Sequence, residues 1–275
     1  MIGTVALARR IEAAEVRLSL AMADVVRRSG HDDAFAIGIG SGAAVYCGPG
    51  EPMTKVIGVG IAEPLDEAAI DAIEAAFAPT GVHPGVEMAT LCDFASIRLL
   101  EDRGYRLQRI EMVHGRDLTR PTLIDPPSGG IRVVRGHDDL WARISVGGFA
   151  APNVVDGRDA PAEAYDTAVL ERVTAQFAGV DSVRRYVAFL EGVPAGAASA
   201  RVDSGIFQMC GATTLPEYRR NGVQSALLAA RLAEARADGC QLAVVTVEPG
   251  SPSQANVVGR LFAPLYSRLV MSRTS

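Results

Sequence analysis

Apolar residues recur every three to four positions through residues 4–28, which predicts one long amphipathic helix. Glu12, Glu15 and Asp24 sit inside that apolar pattern, so the segment does not read as a signal peptide. The pattern then changes to short alternating runs. AFAIGIG (34–40), AAVYC (43–47) and TKVIGVG (54–60) predict strands, followed by a helix over 65–77, a strand at VEMATLC (86–92), a helix over 94–103 and a strand at RLQRIEMV (106–113). A similar order returns later. IRVVRG (131–136) reads as a strand, 138–149 and 161–177 as helices, and RRYVAFLEG (184–192), VPAGAASARV (193–202) and IFQMCGATTL (206–215) as strands. A helix over 222–237, a strand at 241–247, a short helix over 251–262 and a final strand at LYSRLVM (265–271) complete the chain.

Between the two runs, residues 117–130 carry three prolines and two glycines, the composition of a linker. The expected organisation is a domain over 1–116, a linker over 117–130 and a domain over 131–275. Shifting one half over the other by 157 residues places 55–113 on 212–270 without a gap, helix on helix and strand on strand, which favours a duplicated unit. Composition narrows the classes further. Hydrophobic residues are 48% and charged residues 21%, as in soluble globular chains, and no apolar run is long enough for a membrane span. The net charge of −5 argues against a general nucleic-acid binder. Lys55 is the only lysine among 27 basic residues. Cys47, Cys92, Cys210 and Cys240 stand apart with no CxxC, and the four histidines show no metal-ligand spacing, so free thiols and no structural metal are expected. The cytoplasm is the expected compartment.

The chemistry concentrates in PEYRRNGVQSALLAARL (216–232), where a charged, glycine-containing turn abuts the start of a helix. A helix N-terminus offers unpaired N–H groups and the positive end of its dipole, and Gly222 permits close main-chain approach. Arg219, Arg220 and Ser225 add donors, a combination suited to phosphate or pyrophosphate. Taken alone, the turn reads equally well as an ordinary glycine loop with two solvated arginines. A Walker loop is excluded because it needs Gly-Lys-Ser/Thr, and a dinucleotide fingerprint because it needs three spaced glycines.

The run Thr213-Thr214-Leu215-Pro216-Glu217-Tyr218-Arg219-Arg220-Asn221-Gly222-Val223-Gln224 resembles motif A of the GNAT N-acetyltransferase superfamily, with Gln224 where the strictest pattern has Gly or Ala. The element order from 185 onward is similar too, and about 145 residues are covered. The resemblance implies an α/β (α+β) fold of tandem GNAT-like domains, each a mixed, mostly antiparallel sheet flanked by helices. It also implies acetyl-CoA as cosubstrate. The pantetheine arm would lie along Ala212, Thr213 and Thr214, the pyrophosphate on Arg219, Arg220, Asn221, Gly222, Val223, Gln224 and Ser225, and Asn256 near the cofactor. Strands 206–215 and 241–247 would splay apart around the thioester.

Acetyl transfer to an amine needs a base, an oxyanion donor and an acid. Glu248 at a strand end is the candidate base, and it reads slightly better as a solvated carboxylate. The family's usual helix tyrosine is missing from 251–262. Tyr266 and Ser253 are the remaining candidates for the acid, against a core role for the first and helix capping around Ser251 and Ser253 for the second. A main-chain N–H of Thr213 or Cys210 would face the oxyanion, and direct transfer is favoured over an acyl-enzyme on Cys210. At the equivalent turn of the first half, Glu63 and Asp66 stand where phosphates would sit, and Leu65 replaces the glycine, so that half is expected to be a degenerate copy. The expected activity is acetyl-CoA-dependent N-acetyl transfer to an amine of a small molecule or peptide, with a non-catalytic acyl-CoA-binding or sensory module as the alternative. No nucleic-acid or membrane partner is expected, and a homodimer is left open.

Overall fold

The sequence pattern becomes a mixed α/β architecture in a computed structural model that describes residues 3–120, 130–151 and 166–273, together with the main chain of 154–155 and 158–159. The first run of elements is α1 (Val5–Arg28), β1 (Phe35–Ile39), β2 (Gly42–Tyr46), β3 (Lys55–Ile57), α2 (Glu67–Phe77), β4 (Gly85–Ala89), α3 (Phe94–Asp102) and β5 (Tyr105–Asp117). It continues with β6 (Ile131–Arg135), α4 (Asp138–Ala150), β7 (Val154–Val155), β8 (Arg158–Asp159), α5 (Thr167–Gly179), β9 (Val183–Leu190), β10 (Val193–Asp203) and β11 (Ile206–Thr214). The last elements are α6 (Val223–Ala237), β12 (Leu242–Val247), α7 (Pro252–Val258) and β13 (Ala263–Arg273). Among the described residues, no helix is long and apolar enough to cross a membrane.

Two compact units emerge. The first comprises Met1–His114, Thr246–Pro249 and Ala263–Ser275, and the second Gly115–Val245 and Gly250–Phe262. The last strand, grouped with the C-terminal half by sequence order, is thus a member of the first unit. Of the expected linker over 117–130, residues 121–129 lie outside the described residues, as does the start of the helix expected over 161–177.

In the first unit the strand order is β1-β2-β3-β4-β13-β5. β1, β2 and β3 form an antiparallel meander, α2 crosses over, and β4 pairs parallel to β3. β13 then runs antiparallel to β4, from Arg268 opposite Ala89 to Met271 opposite Val86. The strand expected over 54–60 stops at Ile57 because Gly58 turns to φ 74°. A Cβ on Gly58 would stand 2.5 Å from the Val16 side chain, so the close passage of α1 requires glycine there. The core gathers Tyr46, Ile70, Ile73, Phe77, Met88 and Leu100. α1 opens at Thr4, whose hydroxyl accepts from the Leu7 N–H at 3.2 Å.

Two carboxylates inside α1, Glu12 and Glu15, have cationic partners. Glu12 is buried, and its Oε1 accepts from the Tyr266 hydroxyl at 2.6 Å and from Arg268 Nε at 2.9 Å. Lys55 lies 3.2 Å from Glu87 and 3.7 Å from Glu15. Tyr266, a candidate acid in the sequence, is therefore a buried structural hydroxyl of the first unit. Burial and the neighbouring Glu12 carboxylate push it well above the ordinary tyrosine range, the wrong direction for a proton donor at neutral pH.

The second unit shares with the first an antiparallel meander followed by a helix crossover to a parallel strand. Strand order is β12-β11-β10-β9-β6. β6, β9, β10 and β11 are successively antiparallel neighbours, α6 crosses over, and β12 is parallel to β11. On one side α4 is anchored by Trp141, whose indole N–H donates to the Ala198 carbonyl at 3.0 Å. β7 and β8 form a separate two-residue ladder.

The buried cluster yields a stability prediction. Burial pushes the Lys55 ammonium down, but Glu87 and Glu15 outweigh it and its net direction is up. A folded pKa above the unfolded value contributes stability below the ordinary lysine range and loses it as pH rises through the folded value. Lys55→Met leaves buried carboxylates without this cation and should cost about 3–5 kcal/mol at neutral pH in urea unfolding. The gap between wild type and variant should close in strongly alkaline solution. A cost below about 1 kcal/mol, the scale of exposed pairs, would show that the cluster is solvent-screened.

Candidate functional site

β11 carries the site because it changes partners along its length. Against β12 it pairs only from Ile206–Leu242 to Met209–Val245, while against β10 it continues to Thr214 opposite Gly196. The β10 register shifts between Ser199, opposite Gly211, and Ala200, opposite Met209. Cys210 is therefore the extra residue of a β-bulge, and Gly211 beside it takes φ 138°, which favours glycine. Bulges bend a strand and increase its twist. Here the bend coincides with the end of β11–β12 pairing, so the splay expected between these strands has a local cause.

Both faces of the bulge are supported. From α6, Arg231 is buried, and its Nη1 lies 3.2 Å from the Ser199 carbonyl and 3.3 Å from the Gly211 carbonyl. Its Nε donates to the Leu227 carbonyl of its own helix at 3.2 Å. From α4, Gly148 lies so close to β11 that a Cβ there would stand 2.3 Å from Thr213 Oγ1. Phe149, 45% exposed, lies over Gly211, with its Cζ 3.6 Å from where a Cβ would be. Sequence reasoning missed Arg231, Gly148 and Phe149. Two adjacent glycines inside the helical run SVGGFA were the available sign of close approach. Nothing in α6 set Arg231 apart from its neighbouring arginines.

Beyond Thr214 the chain turns through a 3-10 turn at Pro216–Tyr218 to the start of α6. Gly222 is the N-cap at φ 83°, and among the described residues no side chain caps the helix. The first-turn amides of Val223, Gln224 and Ser225 thus stay without a side-chain cap, and the first helical bond runs from the Ala226 N–H to the Gly222 carbonyl at 2.9 Å. Among the described residues a Cβ on Gly222 would meet only Ile131, at 3.6 Å, so its backbone angle rather than space demands glycine. Thr214, buried at the end of β11, has a hydroxyl without a hydrogen-bond partner among the described residues.

The two arginines of the turn separate. Arg219, expected as a phosphate contact, directs Nε at the Thr214 carbonyl (3.4 Å) and Nη2 at the Ala151 carbonyl (3.4 Å), tying the turn to β11 and the end of α4. Arg220 is exposed, at φ 65°, and Asn221 Nδ2 donates to the Arg219 carbonyl at 3.1 Å. Downstream, Glu248 is exposed in the turn after β12. Ser251 caps α7, accepting from the Gln254 N–H at 3.1 Å, which leaves Ser253 and Asn256 exposed on that helix. The structure brings Ala212, Thr213, Thr214 and 219–225 into one strand–turn–helix segment of the second unit, whereas Tyr266 belongs to the core of the first unit.

The equivalent helix of the first unit is closed. Asp66 is the N-cap of α2, and its carboxylate accepts from the Ala69 N–H at 2.8 Å, filling the position an anion would take. Leu65 is buried, with its N–H donating to Ser96 Oγ at 2.8 Å. Glu63 departs from expectation: its carboxylate accepts from the Ser41 N–H of the β1–β2 turn instead of facing the α2 amides.

The profile of the Acetyltransferase (GNAT) family matches residues 154–257. No curated protein matches the chain. Among solved structures, a GCN5-related N-acetyltransferase from Kribbella flavida is similar at 16% identity and TM-score 0.63, covering 94% of this chain and 95% of that one. A tandem GNAT protein from the clavulanic acid biosynthesis pathway is similar at 15% identity and TM-score 0.56, covering 84% of this chain and 78% of that one. A functionally unknown conserved protein from Staphylococcus epidermidis follows at 10% identity and TM-score 0.54, with 75% and 78% covered. At these identities the likeness is one of fold, and that fold is a pair of GNAT-like domains.

The contact of α4 with β11 is directly testable. Gly148→Ala puts a methyl group into the space of the Thr213 side chain and should destabilise the protein by about 1–3 kcal/mol, as overpacking does. Gly147→Ala, whose Cβ would stand 3.4 Å from Leu215, should be nearly neutral in the same unfolding measurement. Equal effects at the two positions would contradict the close approach at Gly148.

Proposed function

We propose that this chain, whose residues 154–257 match the profile of the Acetyltransferase (GNAT) family, is an acetyl-CoA-dependent N-acetyltransferase acting on an amine of a small molecule or peptide. One observation carries the proposal: β11 leaves β12 at a bulge and, eight residues beyond its end at Thr214, the chain reaches the N-cap Gly222 of a helix that no side chain caps among the described residues. Few ligands need both an extended main-chain edge and an anion seat. Acetyl-CoA, which supplies an activated thioester, has a pantetheine arm for the first and a pyrophosphate for the second.

In this reading the amides of Val223, Gln224 and Ser225 hold the pyrophosphate, aided by Arg220 and by the dipole of α6. Arg219 shapes the turn through its carbonyl contacts. The main chain from Ala212 to Thr214 holds the arm, and Asn256 on α7 borders it. Main-chain amides at the bulge face the carbonyl where negative charge develops. Glu248 takes the proton of the incoming amine, and with Tyr266 committed to Glu12, Ser253 is the remaining hydroxyl candidate for protonating the leaving sulfur.

A single site per chain follows from the two helix starts. α6 offers its amides, whereas α2 has its own carboxylate in place. Calorimetric titration with acetyl-CoA should give a stoichiometry near one. Gly222→Glu should abolish binding in a folded protein, since it places bulk and negative charge against the pyrophosphate. Arg220→Ala should weaken binding by about tenfold, the loss of one charge-assisted hydrogen bond. A stoichiometry near two, or unchanged affinity in Gly222→Glu, would overturn the assignment.

Turnover is read as free-thiol release across an amine panel. Glu248→Gln should lower it at neutral pH with acetyl-CoA affinity intact, and part of the rate should return at higher pH, where more of the amine is already neutral. Identical rates in the two proteins at every pH would remove Glu248 from the chemistry. Binding without turnover across the panel would replace the enzyme reading with a binding module.

A further inference from the structure

We propose that Arg231 is a positioning residue that holds the β11 bulge in shape, and so sets the main-chain amides meant to receive the acetyl carbonyl. This inference rests on the acyl-transfer reading given above.

Arg231 is an unusual residue for its position. It lies on the buried side of α6, only 4% exposed, between the apolar residues Leu228 and Leu232. The charged or titratable neighbours that act on it are Tyr186 and Cys210, neither of them a carboxylate. Burial pushes its guanidinium down to about 10, which still leaves it a cation at neutral pH. Burying a charge without a counter-ion is costly unless strong hydrogen bonds replace its water. The bonds here go to main-chain carbonyls, and two of them flank the register shift: Ser199 O at 3.2 Å and Gly211 O at 3.3 Å.

A bulge disrupts the local ladder and leaves polar main-chain groups needing partners. Arg231 supplies one nitrogen to carbonyls from both strands at that place. It therefore ties β10 and β11 together where their own register changes. Peptide planarity carries the effect across the strand. With the Gly211 carbonyl directed at Arg231, the N–H of Ala212 in the same trans peptide points away from α6. A cation donating to that carbonyl also polarises the peptide and strengthens its N–H as a donor. On the α4 side Phe149 lies over Gly211, so the bulged peptide is held from both faces. The anion seat at Gly222 lies more than two helical turns away along α6 and makes no use of Arg231.

The two functions should therefore come apart. Acetyl-CoA and CoA share the pyrophosphate and the arm and differ in the acetyl carbonyl, so disturbing the bulge should change the first more than the second. Calorimetry on wild type, Arg231→Lys and Arg231→Met should show CoA affinity within about twofold in all three, and acetyl-CoA affinity about tenfold weaker in Arg231→Met, the scale of one hydrogen bond. Arg231→Lys, which keeps the charge but loses the planar fork, should fall between them. Amide hydrogen exchange over residues 209–213 should speed up in the same order, while the second half of α6 stays as in wild type. Equal loss of both ligands, or an unchanged acetyl-CoA to CoA ratio, would reduce Arg231 to a core residue. Should Arg231→Met not fold, wild-type exchange and wild-type ratio in Arg231→Lys would overturn the proposal by themselves. If wild type binds neither ligand, the acyl-transfer reading fails, and the exchange data still decide whether Arg231 holds the bulge.

Discussion

Parallel strands that stay paired along their whole length leave no main-chain groups for a ligand. In the second unit that pairing stops at Met209 and Val245, because one extra residue, Cys210, enters β11 and bends it. The rest of the site depends on this interruption. It leaves the β11 main chain from Cys210 to Thr214 without β12 ladder bonds, and it carries the chain toward the turn that starts α6. The contacts of Arg231 on one face and Gly148 and Phe149 on the other are made at or beside the interruption, so packing is concentrated where regular hydrogen bonding is lost.

The helix start after the bulge shows how small local differences separate two copies of one topology. α2 and α6 both follow an antiparallel meander and both lead into a parallel strand. At α2 an aspartate caps the helix and consumes the amide that an anion would need. At α6 a glycine holds the N-cap angle and contributes no acceptor. One copy thus carries its own carboxylate at the helix start, and the other, with Gly222, has no side-chain acceptor at that position.

The first unit has its own constraint in the buried cluster of Glu12, Lys55, Glu87, Tyr266 and Arg268. These groups come from α1, β3, β4 and β13, so the segment ends brought together span nearly the whole length of the chain. Buried charges favour the arrangement that pairs them over arrangements that leave one alone. That explains why a lysine-poor chain retains its single lysine inside, 3.2 Å from Glu87.

Much of this was legible in the sequence because it is written in local rules. Hydrophobic period fixes helices and strands, and a glycine before an apolar run marks a helix start. Element boundaries for α1, α2, α6 and β9 to β12 lie within about two residues of the pattern, as local signals allow. What tertiary structure alone decided is everything that depends on which carbonyl or carboxylate lies across from a side chain. Tyr266 is a phenol on an alternating strand, equally fit for a core or a cleft until Glu12, 254 positions away, accepts its hydrogen bond. Arg219 and Arg231 carry the same guanidinium, and only the packed fold assigns one to the turn and the other to the bulge. β13 follows α7 in the sequence yet lies beside β4, because strand pairing is set by long-range register and burial, which no window along the chain contains.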